Sequence, residues 1–189
     1  LYKSAAEVKN MRHAAEVSAR AHIRAMAACQ PGMMEYQLEG ELLYEFVHGG
    51  CRHPAYSTIV GGGENGCILH YVENNAPLKA GELVLIDAGG EYDHYAADIT
   101  RTFPVSGKYS PEQRALYDLV LKSQYAAIKQ VKPGNHWNQP HEAAVEVMTA
   151  GMIELGLLQG DLTQLMADEA YKRFYMHRTG HWLGMDVHD

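Results

Sequence analysis

Cysteine is scarce in this chain of 189 residues: three occur, at positions 29, 51 and 67. An odd number without paired spacing excludes a disulfide framework and makes a reducing compartment the default. The cytoplasm is therefore the expected location. Cys51 and Cys67 have no nucleophile partner set nearby and read as ordinary buried thiols. Basic residues are also in deficit. Sixteen Lys and Arg against 23 Asp and Glu give a net charge of −7. That argues against a nucleic-acid partner, because phosphate backbones are bound through a basic footprint. No apolar run reaches transmembrane length and the mean hydropathy is −0.30, so no bilayer-spanning segment and no membrane partner are expected. Gly61-Gly62-Gly63 lacks the following Lys-Ser/Thr of a phosphate-binding loop. The chain opens on Leu1-Tyr2-Lys3 without a recognisable signal peptide. It stops at Val187-His188-Asp189, inside what reads as a structured segment, so a piece of a longer protein is expected. What the chain does have is 47% hydrophobic residues and eleven histidines. The first suffices for one sizeable core, as a single domain or as two halves of one. The second is the compositional oddity.

Ser4-Ala5-Ala6-Glu7 reads as a capping box that opens a long helix, stopped by Gln30-Pro31-Gly32. Glu35 to Val47 repeats apolar residues at helical spacing before Gly49-Gly50. Tyr56 to Val60 and Cys67 to Val72 are β-branched and aromatic, and read as strands joined by a glycine turn. Leu83 to Ile86 is a buried apolar strand, and Tyr95 to Phe103 is another. Ser110-Pro111-Glu112-Gln113 caps a helix that runs to about Val131, and a further helix spans about Pro140 to Leu155. Helix, Pro31-Gly32, helix thus recurs as helix, Pro133-Gly134, helix at an offset of 102 residues. Two related halves follow, the first with acid-bearing strands and the second expected to have its own, beginning where this chain stops.

The sharpest chemistry lies at Leu83-Val84-Leu85-Ile86-Asp87 and Tyr95-Ala96-Ala97-Asp98. A hairpin centred between Tyr92 and Asp93 puts Asp87 and Asp98 directly opposite, with Cβ atoms about 4.5–5.5 Å apart. Two bare carboxylates that close repel, and burial aggravates it. One or two divalent cations would resolve the conflict, since two-metal hydrolases hold their ions about 3.5–4 Å apart. The bland alternative, turn-flanking acids that cap amides, poorly explains an Asp directly after Leu-Val-Leu-Ile. Thr100 and Thr102 share the face of Asp98 and could support the carboxylates.

The second cluster is His177-Arg178-Thr179-Gly180-His181-Trp182-Leu183-Gly184-Met185-Asp186-Val187-His188-Asp189. His177 and His181 have helical zinc-pair spacing, but Gly180 and Gly184 oppose a helix and no Glu follows His177, so a zincin is rejected. An irregular or extended segment is expected. Trp182, Leu183, Met185 and Val187 argue that it is partly buried, and buried histidines need a metal or a substrate oxygen as partner. His70, at the end of Cys67-Ile68-Leu69, gains interest only if the sheet floors a site.

The spaced pair Asp87 and Asp98-Ile99-Thr100-Arg101-Thr102-Phe103 resembles the metal-binding hairpin of the methionine aminopeptidase/prolidase superfamily. His177 to Asp189 is similar to that superfamily's Xaa-Pro peptidase signature, His-x-x-Gly/Ser-His-x-Leu-Gly-x-x-Val-His-Asp. With Ile59-Val60-Gly61, Glu64-Asn65-Gly66 and Leu69-His70-Tyr71, the resemblance covers nearly the whole chain and points to the aminopeptidase P branch. It implies an α+β pita-bread (creatinase/aminopeptidase) fold of two pseudo-symmetric helix-helix-strand halves, the second incomplete here. Residues 1–189 would form its metallopeptidase domain, lacking the C-terminal strands and the amino-terminal domain. The resemblance also implies two divalent ions, Mn²⁺ first and Co²⁺ or Zn²⁺ otherwise, on Asp87, Asp98, His181 and two Glu beyond residue 189. The implied reaction is hydrolysis of an N-terminal Xaa-Pro bond by a hydroxide bridging the ions. His188 would stabilise the carbonyl oxygen or the tetrahedral centre, and His70 would handle a proton or the leaving proline nitrogen. His177 would line the proline side, and Tyr56 would face the site. Substrates are then peptides with proline second, and a homo-oligomer is expected. Arg178 departs from the family, standing where a small residue is common. Prolidase shares these motifs. A non-catalytic binding module characteristically loses metal ligands, and here every ligand within the chain's length is present. Methionine aminopeptidase lacks the Trp182-to-Asp189 pattern. A purely structural α+β domain leaves the Asp pair unexplained.

Overall fold

In the computed structural model, residues 2–189 are described. Ser4 opens helix α1, Ala5–Ala28: its hydroxyl accepts the Glu7 N–H, and the Glu7 carboxylate takes the Ser4 N–H at 2.6 Å. The buried stripe of α1 is made mostly of small residues, Ala14, Val17, Ser18, Ala21 and Ala25, with His22 among them. They recur every three or four positions and keep the helix close to what it covers. Helix α2, Glu35–His48, packs beside it and buries Glu35, Leu38, Leu42 and Phe46. Gly49 follows α2 where a Cβ would stand 2.6 Å from a Val17 methyl, so the chain turns tightly against α1.

Six strands follow: β1 His53–Pro54, β2 Ile59–Gly62, β3 Leu83–Ala88, β4 Gly90–Tyr92, β5 Tyr95–Ala96 and β6 Ile99–Pro104. They form two antiparallel sheets, in the orders β2-β3-β6 and β1-β4-β5. Alternation along β3 puts Val84, Ile86 and Ala88 in the core with Val17, Leu38, Leu42, Phe46, Val60 and Phe103. Leu83, Leu85 and Asp87 therefore face the other side.

Two compact units result. The first comprises the residues up to Tyr109 together with Trp182–Asp189, and the second comprises Ser110–His181. In the second, Ser110 and Gln113 box the start of α3, Pro111–Gln130, with Pro111 in the first turn. Helix α4, Gln139–Glu154, crosses α3 at Gly151, where a Cβ would meet a Leu119 methyl at 2.1 Å. A short helix α5, Leu162–Ala167, and a 3₁₀ turn at Ala170–Arg173 close the core of Leu119, Val145, Met152, Leu158 and Tyr171. No described helix is long and apolar enough to cross a membrane.

The capped helices and the buried strand stand as expected, and the helix pair recurs as α3 and α4. The strand expected at Cys67 to Val72 does not form. A 3₁₀ helix, Gly63–Cys67, entered through Gly63 at φ +55°, leads instead into a bend and turn at 68–70 and irregular chain beyond. Side-chain anchors at Asn65 and Tyr71 draw this segment off the sheet, and β-propensity there is overridden. The strand expected from Tyr56 begins only at Ile59. Tyr95 to Phe103 is two strands interrupted at Ala97-Asp98. Cys51 is buried, but Cys67 is exposed, because the turn points it outward.

Candidate metal centre

Asp87 is the next-to-last residue of β3, on the face away from the helices, and Asp98 sits in the break before β6. Their pairing differs from the expected one. The hairpin turns at Asp93-His94, with φ of +50° and +69°, a two-residue turn of the type that suits strand twist. Tyr92 pairs with Tyr95, and Asp87 lies opposite Thr100. Asp98 is thus the diagonal neighbour of Asp87 on the same face rather than its direct partner. Gly89 makes the break possible: a Cβ there would lie 1.7 Å from the Ala97 carbonyl oxygen, and Ala97 N–H donates to the Gly90 oxygen at 3.1 Å.

Tyr56, half-buried before β2, closes the pair. Its hydroxyl lies 2.5 Å from Asp87 Oδ1 and 3.0 Å from Asp98 Oδ1. A phenol has one proton, so it donates fully to only one carboxylate at a time. Burial, followed by the Asp87 charge, pushes the Tyr56 pKa far above its ordinary value, so the hydroxyl stays protonated. Burial likewise raises the Asp87 carboxyl. The Tyr56 and Thr100 hydrogen bonds oppose that rise and the Asp98 charge adds to it. One proton shared between two carboxylates leaves surplus negative charge in a half-buried place. Oxygen donors with surplus charge fit a hard or borderline divalent cation. Among the described residues, no three His, Cys, Asp or Glu groups converge as a metal-holding set. The two acids are the part of the expected set that the structure brings together.

The expected histidines fall in both units. His70 lies in the first, exposed, with φ +56° within the turn that replaces the predicted strand. His188 also belongs to the first unit, on the segment Trp182–Asp189. That segment is fastened to the hairpin by Ala96 N–H donating to the Gly184 oxygen at 2.9 Å, and to residue 3 by the Lys3–Asp189 ion pair at 2.6 Å. It is irregular, as expected. Leu183 and Val187 are half-buried, whereas Trp182 and Met185 are exposed. His181 and His177 lie in the second unit, both exposed. There His177 Nδ1 lies 2.7 Å from the Arg178 carbonyl oxygen, and its ring meets Tyr175 edge-on at 5.0 Å. Thr179 Oγ1 binds both His141 Nδ1 at 2.8 Å and the Tyr175 hydroxyl at 2.6 Å. Arg178 donates to Asn138 Oδ1 at 2.6 Å, giving the unusual residue a partner at the start of α4.

The sequence reading overlooked Glu35, a fully buried carboxylate. Its signal was present: Glu35 stands on the apolar stripe of Leu38, Leu42 and Phe46, where an acid does not belong unless it is bonded.

Comparison with known proteins bears on the chain as a whole. The pattern of metallopeptidase family M24 matches residues 9–189. The Xaa-Pro aminopeptidase of Escherichia coli K12 is 51% identical over 189 residues, covering all of this chain and 43% of that protein. The structure of Pseudomonas aeruginosa aminopeptidase PepP superposes with a TM-score of 0.99 at 65% identity, covering all of this chain and 43% of that one. A zinc-substituted E. coli aminopeptidase P in complex with product superposes at 0.98 and 51% identity, with the same coverage. The chain thus spans less than half the length of the relatives it matches.

Proposed function

The chain belongs to metallopeptidase family M24 and has its α+β pita-bread fold, and on that premise we propose that the full protein is a cytoplasmic, homo-oligomeric Xaa-Pro aminopeptidase that releases the residue before proline. The observation that carries the reading is the single Tyr56 proton between Asp87 and Asp98, the mark of a carboxylate pair built for cations. Asp87, Asp98 and His181 would hold two divalent ions together with two carboxylates from outside residues 1–189. When bound, the ions supply an activated water and a Lewis acid for the scissile carbonyl, since a metal lowers the pKa of water from 15.7 towards about 7. Mn²⁺ is the ion of choice, with Co²⁺ or Zn²⁺ as alternatives. The zinc-substituted relative supports a site of this chemistry.

The chain's own side chains do the rest. Tyr56 and Thr100 orient the Asp87 carboxylate. His188 donates a hydrogen bond to the carbonyl oxygen as negative charge develops on it. His70 delivers a proton to the leaving proline nitrogen, and His177 lines the proline side. The test is hydrolysis by the full-length protein, with added Mn²⁺, of an Xaa-Pro-Xaa tripeptide and an Xaa-Pro dipeptide. Tripeptide cleavage is the expected result. Preference for the dipeptide would make the protein a prolidase. No cleavage of either by protein shown to contain metal would leave a non-catalytic module on the same fold.

A further inference from the structure

Glu35 is the first residue of α2 and has no exposed surface. Four donors converge on its carboxylate. Oε1 accepts the Gly62 N–H at 2.8 Å and the Asn65 amide at 3.0 Å. Oε2 accepts the Tyr71 hydroxyl at 2.8 Å and the Ala76 N–H at 2.9 Å. The Asn65 amide also lies 3.0 Å from the Tyr71 hydroxyl oxygen, so the two anchors are tied to one another. Burial alone would push the Glu35 carboxyl up, but the bonds from Asn65, Gly62, Ala76 and Tyr71 together hold it below its ordinary value.

All four donors belong to one stretch of chain. Gly62 ends β2, Asn65 lies in the 3₁₀ helix, Tyr71 directly follows His70, and Ala76 closes the stretch. Beyond Tyr71, Asn74 adds its own anchors, accepting the Val60 N–H and donating to Glu39 and the Thr58 oxygen, each at 2.9 Å, but the turn between Asn65 and Tyr71 that carries His70 has little else to hold it. Ile68 and Leu69 are 56% and 64% exposed, and Val72 is exposed too, so no apolar burial fixes the turn. Two backbone bonds span it, Ile68 N–H to Asn65 O at 3.1 Å and Tyr71 N–H to Ile68 O at 3.3 Å. His70 itself sits in the left-handed region at φ +56°. Histidine tolerates that region better than most residues, but it persists only where the surroundings over-determine it.

We propose that Glu35 is the positioning residue of His70: through Asn65 on one side and Tyr71 on the other, its carboxylate holds the turn that presents the imidazole. The proposal rests on the reading of His70 as the proton donor. It gives a buried charge a task that an apolar residue could not perform, because only an ionised carboxylate accepts from four donors arriving from four points of one loop.

The test is a double-mutant cycle in the full-length, metal-loaded protein, with Xaa-Pro-Xaa hydrolysis as the readout. A lost general acid costs about 10²–10⁴-fold in kcat, so H70A should fall in that range. E35Q keeps the shape but presents an N–H₂ to the Ala76 or Gly62 N–H. It should lower kcat about 10–100-fold, with KM changed by no more than about threefold. In the H70A background, E35Q should have no further effect on kcat, and in the wild-type background it should shift the His70 ring-proton resonance. If E35Q folds poorly by circular dichroism, Y71F removes one donor only and should show a smaller kcat loss that also vanishes with H70A. An E35Q or Y71F effect that is equally large with and without His70 overturns the proposal, and so does an unshifted His70 resonance. An H70A variant with undiminished kcat removes the assigned role of His70 itself, and the role of Glu35 falls with it.

Discussion

Asp87→Asn should stabilise the metal-free protein at neutral pH, although Asp87 is the centre of the proposed site. Both carboxylate oxygens lie on the Tyr56 hydroxyl, at 2.5 and 3.0 Å, so they stand no more than about 5.5 Å apart. Two full charges about 5 Å apart repel by roughly 3 kcal/mol at an effective dielectric near 20. Asn removes that repulsion and keeps an oxygen for Tyr56. It gives up the charge assistance of that hydrogen bond, about 1 kcal/mol. The net gain is about 2 kcal/mol, or roughly 4–8 °C in midpoint for a domain of this size. Burial first, and then the Asp98 charge, raises the Asp87 carboxyl above its ordinary range. The folded state therefore keeps a proton that the unfolded chain has already lost. Stability falls as pH climbs from the unfolded to the folded pKa and stays at the lower level above it. The advantage of Asp87→Asn must accordingly be present at pH 7 and absent below about pH 4, where wild-type Asp87 is itself protonated. The assay is thermal unfolding of the chelator-stripped full-length protein across pH, repeated with Mn²⁺. Ion at a hundredfold its Kd stabilises wild type by about 2.7 kcal/mol, and the variant should lose most of that. A lower metal-free midpoint for Asp87→Asn at pH 7, or a difference that ignores pH, refutes the reasoning.

Tyr56→Phe removes the one proton that both carboxylates share, and should weaken metal binding about tenfold. Competition with a fluorescent chelator measures this, and unchanged affinity contradicts the role given to Tyr56. Gly89→Ala places a methyl 1.7 Å from the Ala97 carbonyl oxygen, a backbone atom that cannot swing aside. It should cost roughly 3 kcal/mol and speed amide exchange at Ala97. A urea midpoint within error of wild type would mean that the hairpin break relaxes freely. Ser4→Ala and Ser110→Ala each delete a cap acceptor, the bond that Glu7 N–H and Gln113 N–H now make. Each should cost about 1 kcal/mol, and amide exchange should localise the loss to the first turns of α1 and α3 respectively.

Capped helices were legible because caps are local. Ser4, Ser110 and Pro111 act on amides within three residues, and nothing distant competes with them. The strand at Leu83 to Ile86 was legible for the complementary reason: such a run needs burial, and Val84 and Ile86 reach the core while Leu83 and Leu85 are half-buried on the other face. The segment from Cys67 to Val72 misled because its fate is set by Glu35, about thirty residues earlier. Periodicity at Cys67 to Val72 carries no trace of that carboxylate, and the only warning stood elsewhere, as an acid on the apolar stripe of α2. The Asp pair was half legible, and the reason is geometric. Asp93-His94 turns the hairpin without the glycine that would announce it, so the expected centre fell one residue early. Moving a two-residue turn by one position shifts the paired partner by two. A shift of two preserves the face, because side chains alternate with period two. Asp87 and Asp98 therefore remain on one side of the sheet under either register, while their distance changes from direct to diagonal. Tyr56 entered only through the family resemblance, as a residue facing the site; no local pattern announces that its hydroxyl reaches both acids from outside the hairpin and turns a diagonal pair into one site.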